Sequence, residues 1–429
     1  MKYSHLLLIL LAVIFQGCTD FLELEDPTQI TNTTFWKTES DAEKGLIAVY
    51  SGLKQTFLYN SQGIKNMNCR GDDVIARLQN PNIYNPDLFI NTPSNTFASS
   101  MWKNAYILIY RANQVLDNVP GIEMEEKRKA EILGEAKALR GIAYFILATN
   151  FKEVPLALNS SPDDAGMYPA LNTSSEVWDQ IIRDFSEAKA VLNEQVENVD
   201  LGRMTKFAAA AFLGKAYLYN EEWAEAVDEF EYILTQGDFE LIDDVNDNFS
   251  NKNENNKESI FEVQYEYFET SGQTSRRAKH FAPPGVGAYV ATPSNWIFNE
   301  FQKEKTVDGD FDPRMYATFI WNYPGAEIYQ QSFSTFFADD LDYIAWKKYQ
   351  LCDLSVDEAN LSRSDINERI MRLSHVLLMY AEALNESGST ELAYETINRI
   401  RQRANLSLLP DGLSQQEMRE EIIHQRVLE

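Results

Sequence analysis

The chain is short of the residues that most often carry chemistry: three cysteines and four histidines in 429 residues. It contains no GxSxG elbow, no HExxH pair, no Walker loop and no CxxC pair, so none of the reactions built on those motifs has its signature here. Gly285-Val286-Gly287 lacks the third glycine and the strand-turn-helix setting of a dinucleotide site. Apart from His5, the histidines are His280, His375 and His424, too scattered along the chain to point to a metal cluster. Positive charge is scarce as well, with 38 Lys and Arg against 65 Asp and Glu and a formal charge of −27. A field of that sign repels phosphate backbones and anionic headgroups, which argues against nucleic acid and against electrostatic adhesion to a membrane. Among 65 acidic residues some pair can always be nominated as a glycosidase acid and base, so spacing alone supports no such claim. An enzyme is the weaker hypothesis.

Long apolar runs are missing too, and the one short run stands at the start. Leu6 to Phe15, "LLLILLAVIF", follows Lys2 and His5 and precedes the small residue Gly17. Its ten residues fall short of the roughly 20 that a spanning helix needs, and its flanks are those of a secretion signal, so the chain is expected to be exported. Cleavage between Gly17 and Cys18 would make Cys18 the first residue, where thiol and amine can be acylated as in bacterial lipoproteins. Gly17 and Cys18 fit the lipoprotein box and Phe15 and Gln16 depart from it. The alternative is an ordinary signal peptide with Cys18 as an incidental thiol. Two or more acyl chains, palmitate among them, anchor a protein stably without a spanning helix. Removing residues 1–17 removes Lys2 and leaves a charge of −28. Cys69 and Cys352 then remain, 282 intervening residues apart, and that separation leaves open whether they pair in an oxidising compartment or stay as two buried thiols.

What the chain does have is apolar bulk. At 44% hydrophobic and 12% aromatic it can bury a large core. Residues 18–35 hold Pro27 and several Thr and Asn and read as a lipidated tether. Over 36–237 the helical period dominates: a helix is expected from about Ser40 to Phe57, capped by Thr38 or Ser40, with Leu46, Val49, Tyr50 and Leu53 on one face. "SSMWKNAYILIYRANQVLDNV", "EEKRKAEILGEAKALRGIAYFILATNF" and "SEVWDQIIRDFSEAKAVL" repeat the pattern, with Trp102 expected in the core beside Tyr106 and Ile109. Two segments then echo each other: Ala216, Ala226 and Phe230 recur as Ala383, Ala393 and Ile397 at the same spacing of ten and four. Small residues at facing positions let two antiparallel helices approach, and this spacing resembles the tetratricopeptide helix pair, the alternative being generic Ala-rich hairpins. The expected class is all-α, a superhelical scaffold of such pairs, closing with helices over 366–429.

Between the echoes, over 238–365, the helical period fails. "SIFEVQYEYFE" alternates like a strand, and "HFAPPGVGAYVATPSNW" is rich in Pro and Gly. Residues 316–349 hold eleven aromatics in 34 positions, against 12% for the whole chain. Aromatic faces stack on the CH faces of sugars and other planar groups, while Asp, Asn and Arg fix orientation, and loops on a rigid scaffold are where recognition usually sits. Polar groups of that kind also occur in "NCRGDDVIARLQN", in Arg70, Asp72, Asp73 and Arg77 of the loop expected after the first helix. The plainer reading there is an Asp72 that caps a helix and pairs with an arginine.

Four stretches together resemble the SusD/RagB family of outer-membrane lipoproteins: "CTDFLELEDPTQITNTTFWKTESDAEKGLIAVY", "GEAKALRGIAYFILATNFKEVPLAL", "GRMTKFAAAAFLGKAYLYNEEWAEAVDEFEYILTQGDFEL" and "RIMRLSHVLLMYAEALNESGSTELAYETINRIRQRANL". The resemblance covers nearly everything from Cys18 to Glu429. It implies a single SusD-like domain with a loop-rich insertion, and a cell-surface nutrient-binding subunit that caps a SusC-type TonB-dependent transporter. Such a lid takes an oligosaccharide, in some relatives a peptide or a glycoprotein glycan, and delivers it by opening and closing without breaking a bond or using a cofactor. Asp20 and Glu23, just after Cys18, are similar to the signal that sends these lipoproteins to the outer leaflet. By region, the resemblance places ligand residues at Asp73, Arg77, Asn95, Tyr289, Trp296, Trp321 and Tyr323, with no catalytic or metal residue. A helical-repeat scaffold that binds no small ligand and a surface hydrolase are the competing readings. One departure is "IIHQRVLE", where Gln425 replaces the family's glutamate and the sequence stops. A truncated frame or a fragment would leave the face of the 415–429 helix uncovered, at roughly 1.5 to 3 kcal/mol per exposed large apolar side chain.

Overall fold

The computed structural model describes residues 35–60, 68–77, 81–90, 92–160, 169–267, 274–359 and 363–429. The apolar run at 1–17 and Cys18 lie outside these residues, as does the tether as far as residue 34.

Helix α1, Glu39–Leu53, starts on a capping box in which Thr38 Oγ1 accepts from the Asp41 amide at 3.3 Å and Asp41 Oδ2 accepts from the Thr38 amide at 3.0 Å. It ends four residues before the expected Phe57. The Tyr59 amide donates to the Leu53 carbonyl at 3.1 Å, and this turn swings Leu58 into the core, where it is fully buried. Burying Leu58 outweighs one more helical turn.

Helices α2 (Thr96–Asn118), α3 (Glu126–Phe151), α4 (Ser174–Val191), α5 (Lys206–Tyr219) and α6 (Trp223–Gln236) follow, each packed on the next. Trp102 is half-buried, with Phe151 at 5.1 Å and Tyr106 at 5.2 Å between ring centroids. Buried charge in α3 is matched: the Arg140 guanidinium forks onto Asp184, with Nη2 to Oδ1 at 2.7 Å and Nε to Oδ2 at 2.9 Å. A second network ties α1 to α3, where Arg128 Nε donates to Glu43 at 2.6 Å and the Tyr50 hydroxyl donates to Glu135 at 2.6 Å.

The two echoes fold as the spacing predicts. In the α5–α6 hairpin Ala216, Ala226 and Phe230 are fully buried, and a Cβ on Gly214 would stand 2.6 Å from the Phe230 ring. In the hairpin of α7 (Leu373–Glu386) and α8 (Thr390–Arg403), Ala383, Ala393 and Ile397 are fully buried in the same way. Helix α6 packs on α7, so the two hairpins stack into one all-α scaffold.

The last helix, α9 (Gln415–Leu428), corrects an expectation. Its apolar face is covered: Met418 and Ile422 pack with α7 and α8, and Leu428 packs with Phe301, Met315 and Phe319. Ile423 is the large apolar side chain of α9 that stays exposed. Gln425 is buried, accepting from Arg314 Nη1 at 2.8 Å and donating to Glu421 at 2.9 Å.

The stretch 238–365 holds short strands and single helical turns. Strand β2, Ser259–Val263, covers only the first part of the alternating run and pairs antiparallel with β6, Glu368–Arg372, just ahead of α7. Besides a two-residue pairing of Glu327–Ile328 with Gln331–Ser332, two small ladders carry the rest. Strand β1, Val74–Ala76, lies in what the sequence presented as a loop and pairs with β3, Ala291–Pro293; β4, Phe319–Ile320, pairs with β5, Ala345–Trp346. Strands β3 and β5 lie side by side, which joins the two ladders. Cys69 packs under β1 while Cys352 packs among the aromatics around Tyr329, and no disulfide joins them. No helix among the described residues is long and apolar enough to cross a membrane.

Candidate ligand-binding site

The β1–β3 ladder sorts the candidate residues between its two ends. The register pairs Ala76 with Ala291 and Val74 with Pro293, so Arg77 and Tyr289 stand at one end and Asp73 and Trp296 at the other. About 10 Å of strand separates the ends.

At the first end the Arg77 amide donates to the Val290 carbonyl and Arg77 Nε donates to Thr292 Oγ1, both at 2.8 Å. Tyr289 holds a left-handed backbone, φ 49°, uncommon for a residue with a Cβ. Its ring lies 6.4 Å from that of Tyr343, which stacks on Phe337 at 4.5 Å and 21°. Burial first, then the neighbouring Tyr289 phenol, pushes the Tyr343 hydroxyl far above its usual range.

At the second end Ser294 fixes the geometry. Its amide donates to the Asp73 carbonyl at 2.9 Å and its hydroxyl to the Asp72 carbonyl at 2.6 Å, while its Oγ also accepts from the Ile297 amide and starts the short helix Asn295–Glu300. That helix holds Trp296 in solvent, 47% exposed, and turns Phe298 inward against Trp321 at 5.6 Å. The Asp73 carboxyl is half-buried, and burial raises its pKa, with the nearby Asp72 adding to the effect and Lys348 opposing it.

Trp321 and Tyr323 follow β4 and are both partly exposed. Trp321 lies 4.6 Å from Tyr323 and 5.0 Å from Tyr316, with Phe311 edge-on at 6.1 Å. This is a rigid aromatic wall, set beside the Trp296 helix through Phe298.

Asn95 stands apart from these groups. It is buried as the N-cap of α2, its Oδ1 accepting from the Phe97 amide at 2.8 Å and its Nδ2 donating to the Asn82 carbonyl at 3.5 Å. Phe97 packs in turn against Val74, Ala76 and Ala291, so the cap supports the ladder from below.

A cavity of about 600 Å³ runs inward from the Asp73 end. Exposed Asp72 and Trp296 mark its mouth, and Trp346, Tyr349, Lys348, Arg372, Glu368 and Glu429 line it. That volume lies within the roughly 300 to 1,000 Å³ of small-molecule sites. Tyr316, Tyr343, Trp346 and Lys348 were not singled out by sequence. Their signal is the aromatic density of 316–349, which gives no register and so cannot say which rings meet. Among the described residues no group of three or more His, Cys, Asp or Glu is placed to hold a metal ion.

Comparison with known proteins gives this geometry a family. A SusD-like family model described as starch-binding and associating with the outer membrane matches residues 20–218, and the SusD family model matches residues 257–429. SusD-like protein P38 of Formosa agariphila is 28% identical over 436 residues, covering 95% of this chain and 83% of that protein. The crystal structure of a SusD superfamily protein from Bacteroides vulgatus superposes with a TM-score of 0.85 at 32% identity, over 92% of this chain and 86% of that one. A laminarin-binding SusD-like protein shares the fold, with a TM-score of 0.75 at 23% identity over 92% of this chain and 88% of that one. The chain belongs to the SusD/RagB family, a group of binding proteins associated with the outer membrane.

Proposed function

We propose that the protein is a cell-surface lipoprotein, anchored in the outer membrane through Cys18, that captures an oligosaccharide and passes it to a SusC-type TonB-dependent transporter without cleaving it. The observation that carries this reading is the half-exposed Trp296 beside the Asp73 carboxyl at the mouth of a 600 Å³ cavity, with the Trp321 and Tyr323 rings alongside. Flat rings favour the CH faces of sugars, and a carboxylate accepts from sugar hydroxyls; together they orient a glycan without chemistry. Arg77 and Tyr289, at the far end of the ladder, would extend the contact by another sugar unit. Asn95 would act here by holding the ladder rather than by touching the glycan.

The family's description as starch-binding and the fold shared with a laminarin binder support a glycan over other small molecules. Calorimetric titration with an oligosaccharide panel, followed by chromatography of the recovered sugar, tests the reading. Saturable binding, weakened by Trp321→Ala, with the sugar recovered intact is the expected result. Cleavage abolished by a single carboxylate substitution would establish a hydrolase instead, and absence of binding across the panel would favour a scaffold.

A further inference from the structure

The β1–β3 ladder between the two ends of the site is three residues long, and one of them, Pro293, has no N–H to give. Two hydroxyls flank that proline, and both reach across to the opposite segment. Thr292, 4% exposed, accepts from Arg77 Nε at 2.8 Å. Ser294, 7% exposed, donates to the Asp72 carbonyl at 2.6 Å and accepts from the Ile297 amide at 3.3 Å. The backbone is still extended at Ser294, so the two side chains, two residues apart, leave the same face of the chain.

Each hydroxyl holds one end of the platform. The Arg77 side chain is exposed, and no carboxylate pairs with it among the described residues, so its terminal nitrogens stay available while Thr292 occupies Nε. A guanidinium held at Nε presents its remaining donors in a fixed plane. At the other end, Ser294 joins the peptide of Asp72 and Asp73 to the first turn of the helix that carries Trp296.

We propose that Thr292 and Ser294 are positioning residues for the glycan: Thr292 sets the Arg77 guanidinium, and Ser294 sets Trp296 against Asp72 and Asp73. The inference rests on the glycan reading above and adds two buried residues that act on the ligand through others. The two ends are set separately, so each hydroxyl matters only while its own contact residue is present.

The test titrates the full chain calorimetrically with the oligosaccharide that binds from a panel containing starch and laminarin fragments, using variants shown by melting temperature to be folded. Thr292→Val removes the hydroxyl and keeps the branched shape. It is expected to weaken binding roughly two- to tenfold, the scale of one hydrogen bond, and Thr292→Ser is expected to restore it. Ser294→Ala is expected to lose a similar factor. In an Arg77→Ala background the Thr292→Val loss should shrink toward onefold while the Ser294→Ala loss persists; in a Trp296→Ala background the pattern should reverse. A residue that only stabilised the fold would lose the same factor in every background. Binding that responds to Arg77→Ala and Trp296→Ala, yet is unchanged by the hydroxyl variants or weakened by them equally in both backgrounds, overturns the positioning role alone. Absence of binding to every member of the panel overturns the glycan reading with it. Each end has its own variant, so if one folds poorly the other still decides.

Discussion

The helical scaffold and the insertion solve opposite problems. The scaffold buries alanines where two helices must meet, as at Ala216 with Ala226 and at Ala383 with Ala393, and it matches its buried charges, as at Arg140 with Asp184. The insertion exposes large rings and is held mostly by ladders of two or three residues. Packing of that first kind maximises stability, whereas the second keeps aromatic and polar faces available to a ligand. The difference predicts that scaffold substitutions change stability and insertion substitutions change affinity.

The strongest way to break that contrast is through the buried fork in the scaffold. Asp184→Ala leaves the Arg140 guanidinium buried without its partner, and such a loss costs about 3 to 5 kcal/mol. Urea denaturation should show it, with the remaining folded protein binding glycan normally. Gly214→Ala comes next. The added Cβ would stand 2.6 Å from the Phe230 ring, so the α5–α6 hairpin must open, at about 1 to 3 kcal/mol in the same assay.

Trp296→Ala sharpens the contrast from the other side. Removing a 47% exposed ring should change stability by no more than about 0.5 kcal/mol. Loss of one stacking face, about 0.5 to 1.5 kcal/mol, should weaken glycan binding roughly two- to tenfold. Comparable loss of stability would mean that the ring is structural.

The smallest effect is a pH dependence at the junction of insertion and scaffold. Glu254 accepts from the Asn367 amide at 2.7 Å, and burial raises its carboxyl to about 7. The folded protein therefore holds a proton that the unfolded chain releases near its ordinary value of 4.5. This contribution is full below pH 4.5 and is lost as pH rises through about 7. Melting temperature should fall modestly across that window, and Glu254→Gln should flatten the fall.

The contrast also explains what was legible in the sequence. Helices of fourteen or more residues repeat their apolar face several times and carry their own caps, as Thr38 with Asp41 and Ser414 with Glu417 do, so the hairpins could be read directly. Strands of three residues carry no period, and the pairing of Val74 with Pro293 joins segments more than two hundred residues apart. Asp73 and Trp296 could therefore be nominated by resemblance, but their common position at one cavity mouth could not. Asn95 shows the limit of assignment by region: the same residue type serves equally well as a helix cap. The covered face of α9 was missed because its partners, Phe301, Met315 and Phe319, belong to the aperiodic insertion.

The claim that ties these observations together is that the ladders of the insertion present an aromatic glycan platform. Its most direct test is the dissociation constant of a bound oligosaccharide for the unmodified protein and for a Trp296→Ala, Trp321→Ala, Tyr323→Ala triple variant, each checked by melting temperature. The account predicts that the triple variant stays folded and loses binding by a hundredfold or more, taking roughly 1 kcal/mol for each ring. Unchanged affinity in a folded triple variant would contradict it.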